Sequence, residues 1–441
     1  MRACSQTTMS VGVYGIYALT NAWFVSRALG PGALAAVNLF APALLALGAV
    51  AAALGVAGGS MVARALGGAD PARAARAAGH TFTVFWVCSL LVALGGLPAL
   101  NPLLTLLGAT AATRGDAHAY GQILLAGAPT ATGFSSLVRA EGRMRFSTLL
   151  WVVPVLTQIG LDPLLIFGLR LGVRGAGLGT VGGQAVSAGM SLWFFFLQRH
   201  RPYRVTRADV RPHGPTLREL VGLGIPTFLG SLAASVLAAL ANRLLVATAG
   251  SLALAAYALC TRIGTFAAMP QAGIAQGLQA VAGYNAGLGA TGRVERAVSL
   301  GLRATLCYGA VISLLLLALP RPLIAVFTDD PALRTHAATA LRLLAPTYLL
   351  SGVSPLIISC LQATGRRGPA YLISLGTIAA VRIPTLLAFS RFGPTGVLVS
   401  FPVAEFGAAA LALWVLHRHR ARAAAQIVLP CQAPPPGGAQ S

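Results

Sequence analysis

The sequence predicts an all-α integral membrane protein with twelve transmembrane helices in two pseudo-symmetric six-helix bundles. Three observations carry that prediction. The 441 residues are 56% hydrophobic and only 10% charged, with a mean hydropathy of +0.75, whereas a soluble domain carries about 25% charged residues. Apolar runs of about 20 residues, the length that crosses a ~30 Å hydrocarbon core, fill the chain. An internal repeat that matches the first half of the chain to the second divides these runs into two sets of six.

Taken in order, spans 1 to 6 are Gln6–Val25, Ala36–Ala63, Thr81–Leu100, Tyr120–Leu137, Ser147–Leu169 and Gly175–Leu197. Spans 7 to 12 are Leu220–Thr248, Leu254–Gly283, Leu300–Leu319, Ala337–Leu361, Pro369–Phe389 and Gly396–Leu416. The second and eighth are long enough to tilt or to extend past the membrane. Residues 1–198 then form an N-lobe of helices 1–6, and 199–219 a basic cytoplasmic linker. Residues 220–417 form a C-lobe of helices 7–12, and 418–441 a disordered cytoplasmic tail. The tail's His417-Arg418-His419-Arg420 reads as a solvated basic end. A cleaved signal peptide is the alternative for the first segment, but the repeat includes it as a structural helix.

The repeat is legible in specific residues. Ala33-Leu34-Ala35-Ala36 recurs as Ala253-Leu254-Ala255-Ala256, and Gly67, Arg73 and Arg76 meet Gly287, Arg293 and Arg296 at the same offset. Further on, Ala140, Gly142 and Arg143 align with Ala363, Gly365 and Arg366, and Phe167 with Phe389, at offsets that drift only slightly. Six spans return the chain to its starting side, so the two halves are parallel repeats about an axis along the membrane normal. Because Ser5 pairs with Pro226, the first segment is slightly short against its repeat, which places the expected start upstream.

Charge sets the orientation. There are 32 basic residues, all arginine, and ten acidic ones, for a net charge of +22. With the N-terminus inside, twenty arginines fall in cytoplasmic loops and ends and seven on the other side, the bias that short cytoplasmic loops carry. The excess therefore records topology and not a nucleic-acid partner. Without lysine there is no Walker A phosphate loop and no lysine nucleophile. Six scattered cysteines have no Cys-x-x-Cys pair, so no metal site or disulfide framework is implied. Neither a Gly-x-Ser-x-Gly elbow, a His-Glu-x-x-His motif nor paired Asp-rich motifs occur, and an enzyme is excluded on that ground.

Function is sought where polar groups cost most, inside the membrane. Only two acids fall there, Asp162 in span 5 and Glu405 in span 12. Asp162 precedes Pro163, whose missing N–H frees a carbonyl beside the carboxylate, making a site for a proton or small cation. The competing reading has Asp162 cap the segment that Pro163 begins. Glu405 follows Phe401-Pro402 and has Arg382 as a possible structural partner. Asn242, Gln276 and Gln279 are the remaining candidate cavity-lining residues.

Several stretches resemble a known family, the multidrug and toxic compound extrusion (MATE) transporters, in the branch of DinF-like and MepA-like proteins. They are Met269-Pro270 through Ala275-Gln276-Gly277-Leu278-Gln279 to Gly283-Tyr284-Asn285, Leu161-Asp162-Pro163-Leu164-Leu165-Ile166-Phe167-Gly168 with Gly172-Val173-Arg174-Gly175-Ala176, and Arg139-Ala140-Glu141-Gly142. The resemblance implies a MATE-like fold around a central cavity and export driven by protons or sodium through alternating access. It implies no cofactor beyond the coupling ion H+ or Na+, a small-molecule substrate, and a monomer in the plasma membrane, in which the arginine bias puts both termini in the cytoplasm. It also implies an N-lobe coupling site at Asn21, Gln158, Asp162 and Thr180. Two positions depart from the branch's pattern: Asn21 stands for an aspartate and Gln158 for an asparagine. An amide offers a carbonyl oxygen but does not titrate, so Asp162 is left as the site's one carboxylate. The alternatives to ion-driven export are a lipid-linked oligosaccharide flippase and a facilitated exporter with weakened coupling.

Overall fold

The computed structural model describes residues 36–428 except 38–39, 107–108, 110, 132–133 and 199–200. Among the described residues every regular element is helical, and ten helices are long and apolar enough to cross a membrane. They are Leu47–Gly67, Pro71–Gly96, Met144–Gly168, Val173–Leu197, Gly214–Gly250, Leu252–Gly287, Thr291–Ala318, Pro331–Ala363, Arg367–Ser390 and Gly393–Arg418. These are spans 2, 3 and 5 to 12. Span 1, with Asn21, lies outside the described residues.

Local chemistry sets several boundaries. Asp70 caps span 3, its carboxylate accepting from the Arg73 N–H at 2.8 Å, with Pro71 in the first helical position. Asp330 does the same for span 10, ahead of Pro331. Span 4 departs from the expected continuous run. It is built as Ala111–Ala126, a 3-10 turn at Ala128–Thr130 and a short helix Ser135–Ala140, because Pro129 has no N–H with which to continue the ladder.

Both ends of the C-lobe differ from the sequence expectation. Span 7 starts at Gly214, so residues 214–219 are helix and not linker; Pro215 suits the first turn, where an N–H would have no partner. The last helix runs on to Val428, so residues 418–428 are helical and not disordered. Arg420-Ala421-Arg422-Ala423-Ala424-Ala425-Gln426 is a run of strong helix formers. Residues 429–441 lie outside the described residues.

Large apolar side chains such as Leu91, Leu94, Leu197, Val311 and Leu314 are exposed on the outside of the bundles, where lipid and not water is the solvent. Inside the N-lobe, Phe82, Phe134 and Phe195 meet edge to face, with Phe82 4.5 Å from Phe134 and 4.8 Å from Phe195. This aromatic core also holds the linker. Arg201 lies over the rings of Phe194, Phe195 and Tyr203 and forms an ion pair with Glu141, in which both side chains are almost wholly buried. Burial, with Glu141 beside it, holds the Tyr203 phenol well above its ordinary value, so it stays protonated.

The lobes meet chiefly where span 2 packs along spans 7 and 8. A Cβ on Gly67 would lie 2.0 Å from the Tyr284 carbonyl oxygen, and one on Gly287 2.1 Å from the Arg64 carbonyl oxygen. Gly67 and Gly287 are equivalent in the internal repeat, so the two spans cross backbone to backbone near the pseudo-symmetry axis. Around the crossing, Arg64 and Arg73 both reach Glu219, at 2.9 and 3.3 Å. Gln279 donates to the Val56 carbonyl at 2.6 Å and to Ser60 Oγ at 2.8 Å, and Arg139 donates to Gln276 Oε1 at 2.9 Å. These bonds lie toward the end of the bundle that carries the 199–213 linker, and they hold the lobes together there.

Candidate functional site

Spans 5 and 6 position the N-lobe site. Gln158 and Asp162 are four residues apart and so lie on one face of span 5; they are 5% and 1% exposed. That face packs against span 6, where Gly175, Gly179 and Gly183 recur every four residues, the small-residue spacing that lets membrane helices approach closely. The approach is closest at Gly179: a Cβ there would sit 2.0 Å from Asp162 Oδ1. Gly183 sits below it, 2.9 Å from the Pro154 carbonyl oxygen by the same measure. The sequence reading missed these glycines as site residues, although their spacing carries the signal.

The helix Met144–Pro163 runs through Asp162 and continues as a π-helical turn, Leu164–Gly168. Asp162 therefore does not cap a new segment; it sits mid-helix beside a proline and a widened turn, a backbone irregularity frequent at functional sites. Thr180 Oγ1 donates to the Ala176 carbonyl at 3.0 Å and accepts from Gln158 Nε2 at 2.9 Å. Gln158, Asp162 and Thr180 thus come together in one buried polar cluster.

The other candidates are elsewhere. Gln276 and Gln279 sit in the seam between the lobes, bonded to Arg139 and to span 2. Asn242 is exposed on span 7. Glu405 is buried in the C-lobe, where its Oε1 accepts from Arg382 Nη2 at 2.5 Å.

Two like-folded lobes of long apolar helices, a polar cluster buried between spans 5 and 6, and a seam closed at one end define a multi-pass membrane transporter. A family model described as MatE matches residues 8–164 and 226–387. The chain belongs to the MatE family, and so is a transporter and not an enzyme. It is 28% identical over 411 residues to a multidrug export protein MepA of Staphylococcus haemolyticus (strain JCSC1435), covering 92% of this chain and 90% of that one. Among solved structures, a MATE in complex with MaL6 superposes with a TM-score of 0.90 at 24% identity over 95% of both chains. An outward-facing multidrug resistance MATE family transporter of the MOP superfamily superposes with a TM-score of 0.88 at 25% identity, over 95% of this chain and 96% of that one. The fold is therefore that of twelve helices in two bundles.

Proposed function

We propose that the chain is an antiporter that exports small drug-like or natural-product molecules, driven by a proton or sodium gradient through alternating access. The observation that carries this reading is Asp162, a carboxylate 1% exposed in the middle of an apolar helix and clustered with Gln158 and Thr180. An ionised carboxylate is costly to bury, and taking up a proton or small cation relieves that cost. Such a group couples ion occupancy to the packing of spans 5 and 6. With an amide at Asn21, Asp162 carries this step by itself.

The relatives named for multidrug export support the cargo class. The arginine bias supports a plasma-membrane protein with both termini in the cytoplasm. On that orientation the closed end that carries the linker is cytoplasmic. The test is Asp162→Asn in sealed proteoliposomes with an imposed pH or sodium gradient, assayed with a panel of dyes. The variant is expected to lose uphill accumulation while keeping downhill flux; undiminished uphill accumulation would show that coupling lies elsewhere.

A further inference from the structure

The C-lobe contains a second buried polar site, at the same helix pair as the first. At the offset that relates Phe167 to Phe389, Arg382 of span 11 corresponds to Gly160 of span 5, and Glu405 of span 12 to Gly183 of span 6. Where the N-lobe has two glycines, of which Gly183 packs tightly against span 5, the C-lobe has an ion pair beside a cavity. A cavity of about 180 Å³ is lined by Arg382 and Glu405, by Leu237, Tyr257, Leu386 and Phe401, and by small residues including the exposed Ala234 and Ala238. Tyr257 and Phe401 lie ring against ring, with centroids 5.6 Å apart.

The pair is under-used. A guanidinium has five N–H donors and a carboxylate about four acceptor positions, yet Arg382 and Glu405 share the single bond at 2.5 Å. Arg382 Nε and Glu405 Oε2 are buried and make no hydrogen bond among the described residues, and a buried polar atom left unbonded costs free energy. A π-helical turn, Thr377–Arg382, ends on the arginine, just ahead of Pro384. As at Asp162, the backbone widens where a charged side chain is presented inside the membrane.

We propose that this cavity is a binding site for small zwitterions with an aromatic or aliphatic body. The ligand's carboxylate pairs with Arg382 and its ammonium with Glu405, while the body packs on Tyr257, Phe401, Leu237 and Leu386. The charges of the pair cancel, so a lone cation gains from Glu405 but is repelled by Arg382, and a lone anion meets the reverse. In a medium of low dielectric constant both penalties are large, and a zwitterion avoids them. The proposal adds a class of cargo to the transport reading but concerns binding, so it stands or falls separately from ion coupling at Asp162.

The experiment measures equilibrium binding of three radiolabelled indoles to the purified full-length protein in nanodiscs. The probes share one ring: tryptophan is zwitterionic, tryptamine cationic and indole-3-propionate anionic. Tryptophan is expected to bind at least about tenfold more tightly than the other two, because only it satisfies both partners of the pair. That preference is expected to vanish in the Arg382→Gln, Glu405→Gln double variant, which stays neutral. Ala238→Trp, which fills the cavity and keeps the pair, is expected to abolish tryptophan binding even if the double variant fails to fold. Tightest binding of tryptamine or indole-3-propionate, binding of none of the three, or a preference that survives Ala238→Trp would overturn the proposal. Tryptophan binding without gradient-driven transport would count against the antiport reading and leave this site standing.

Discussion

Substituting Gly179 by alanine adds one methyl group at the point where span 6 comes closest to the coupling carboxylate. The added Cβ would lie 2.0 Å from Asp162 Oδ1, and ordinary contact begins at 3.4 Å, so one of the two must retreat by more than an ångström. Asp162 is not at the far end of a long flexible side chain, and its own backbone nitrogen is 3.6 Å from the same point. Relief therefore comes from rotating the carboxylate out of the cluster or from parting spans 5 and 6. Overpacking of this kind costs about 1–3 kcal/mol, and either response removes the fixed geometry on which ion binding depends. Gly160→Ala is the matched control, since nothing lies within 4 Å of a Cβ there, and alanine favours a helix over glycine by about 1 kcal/mol. Both variants are to be assayed for gradient-driven uptake in proteoliposomes and for thermal unfolding in detergent. Gly179→Ala is expected to lose at least about 90% of uphill transport, the effect of a tenfold weaker ion site, while Gly160→Ala keeps it. Normal coupling in Gly179→Ala would refute the idea that the contact between Asp162 and span 6 is part of the coupling site.

The seam and the linker give two further tests. Alanine at Gly67 or Gly287 would set a Cβ against a backbone oxygen of the other lobe, well inside ordinary contact. A penalty of about 1–3 kcal/mol on the closed seam shifts the population roughly 5- to 150-fold toward separation at that end. Spin-label distances across the seam in a cysteine-free background should lengthen, and unchanged distances would refute the close crossing. Arg201→Ala leaves Glu141 buried without its counter-charge, a loss of about 3–5 kcal/mol, and should lower the thermal midpoint sharply. The Glu141→Ala, Arg201→Ala double variant should recover part of that loss; equal midpoints for wild type and Arg201→Ala would show that the pair does not anchor the linker.

Whatever can be summed locally along the chain was legible before folding was considered. Hydropathy summed over the length of a membrane crossing located ten helices that the structure builds, and the scarcity of acids made Asp162 conspicuous. Gln158 and Thr180 followed from the resemblance, and the four-residue glycine spacing of span 6 was present to be read. Which polar groups meet was settled only by packing. In lipid most faces of a span are apolar, so no hydrophobic stripe fixes how each helix is rotated or which neighbour a given side chain faces. The sequence offered Arg382 as one partner for Glu405 and packing selected it across spans 11 and 12, whereas Gln276 and Gln279, expected in the cavity, went to the seam between the lobes. Arg201, one of many arginines in the linker, was singled out only by the Phe194, Phe195 and Tyr203 rings that folding gathered around it. Local sums place helices in a membrane, but the fit of side chains between helices decides which of them form a site.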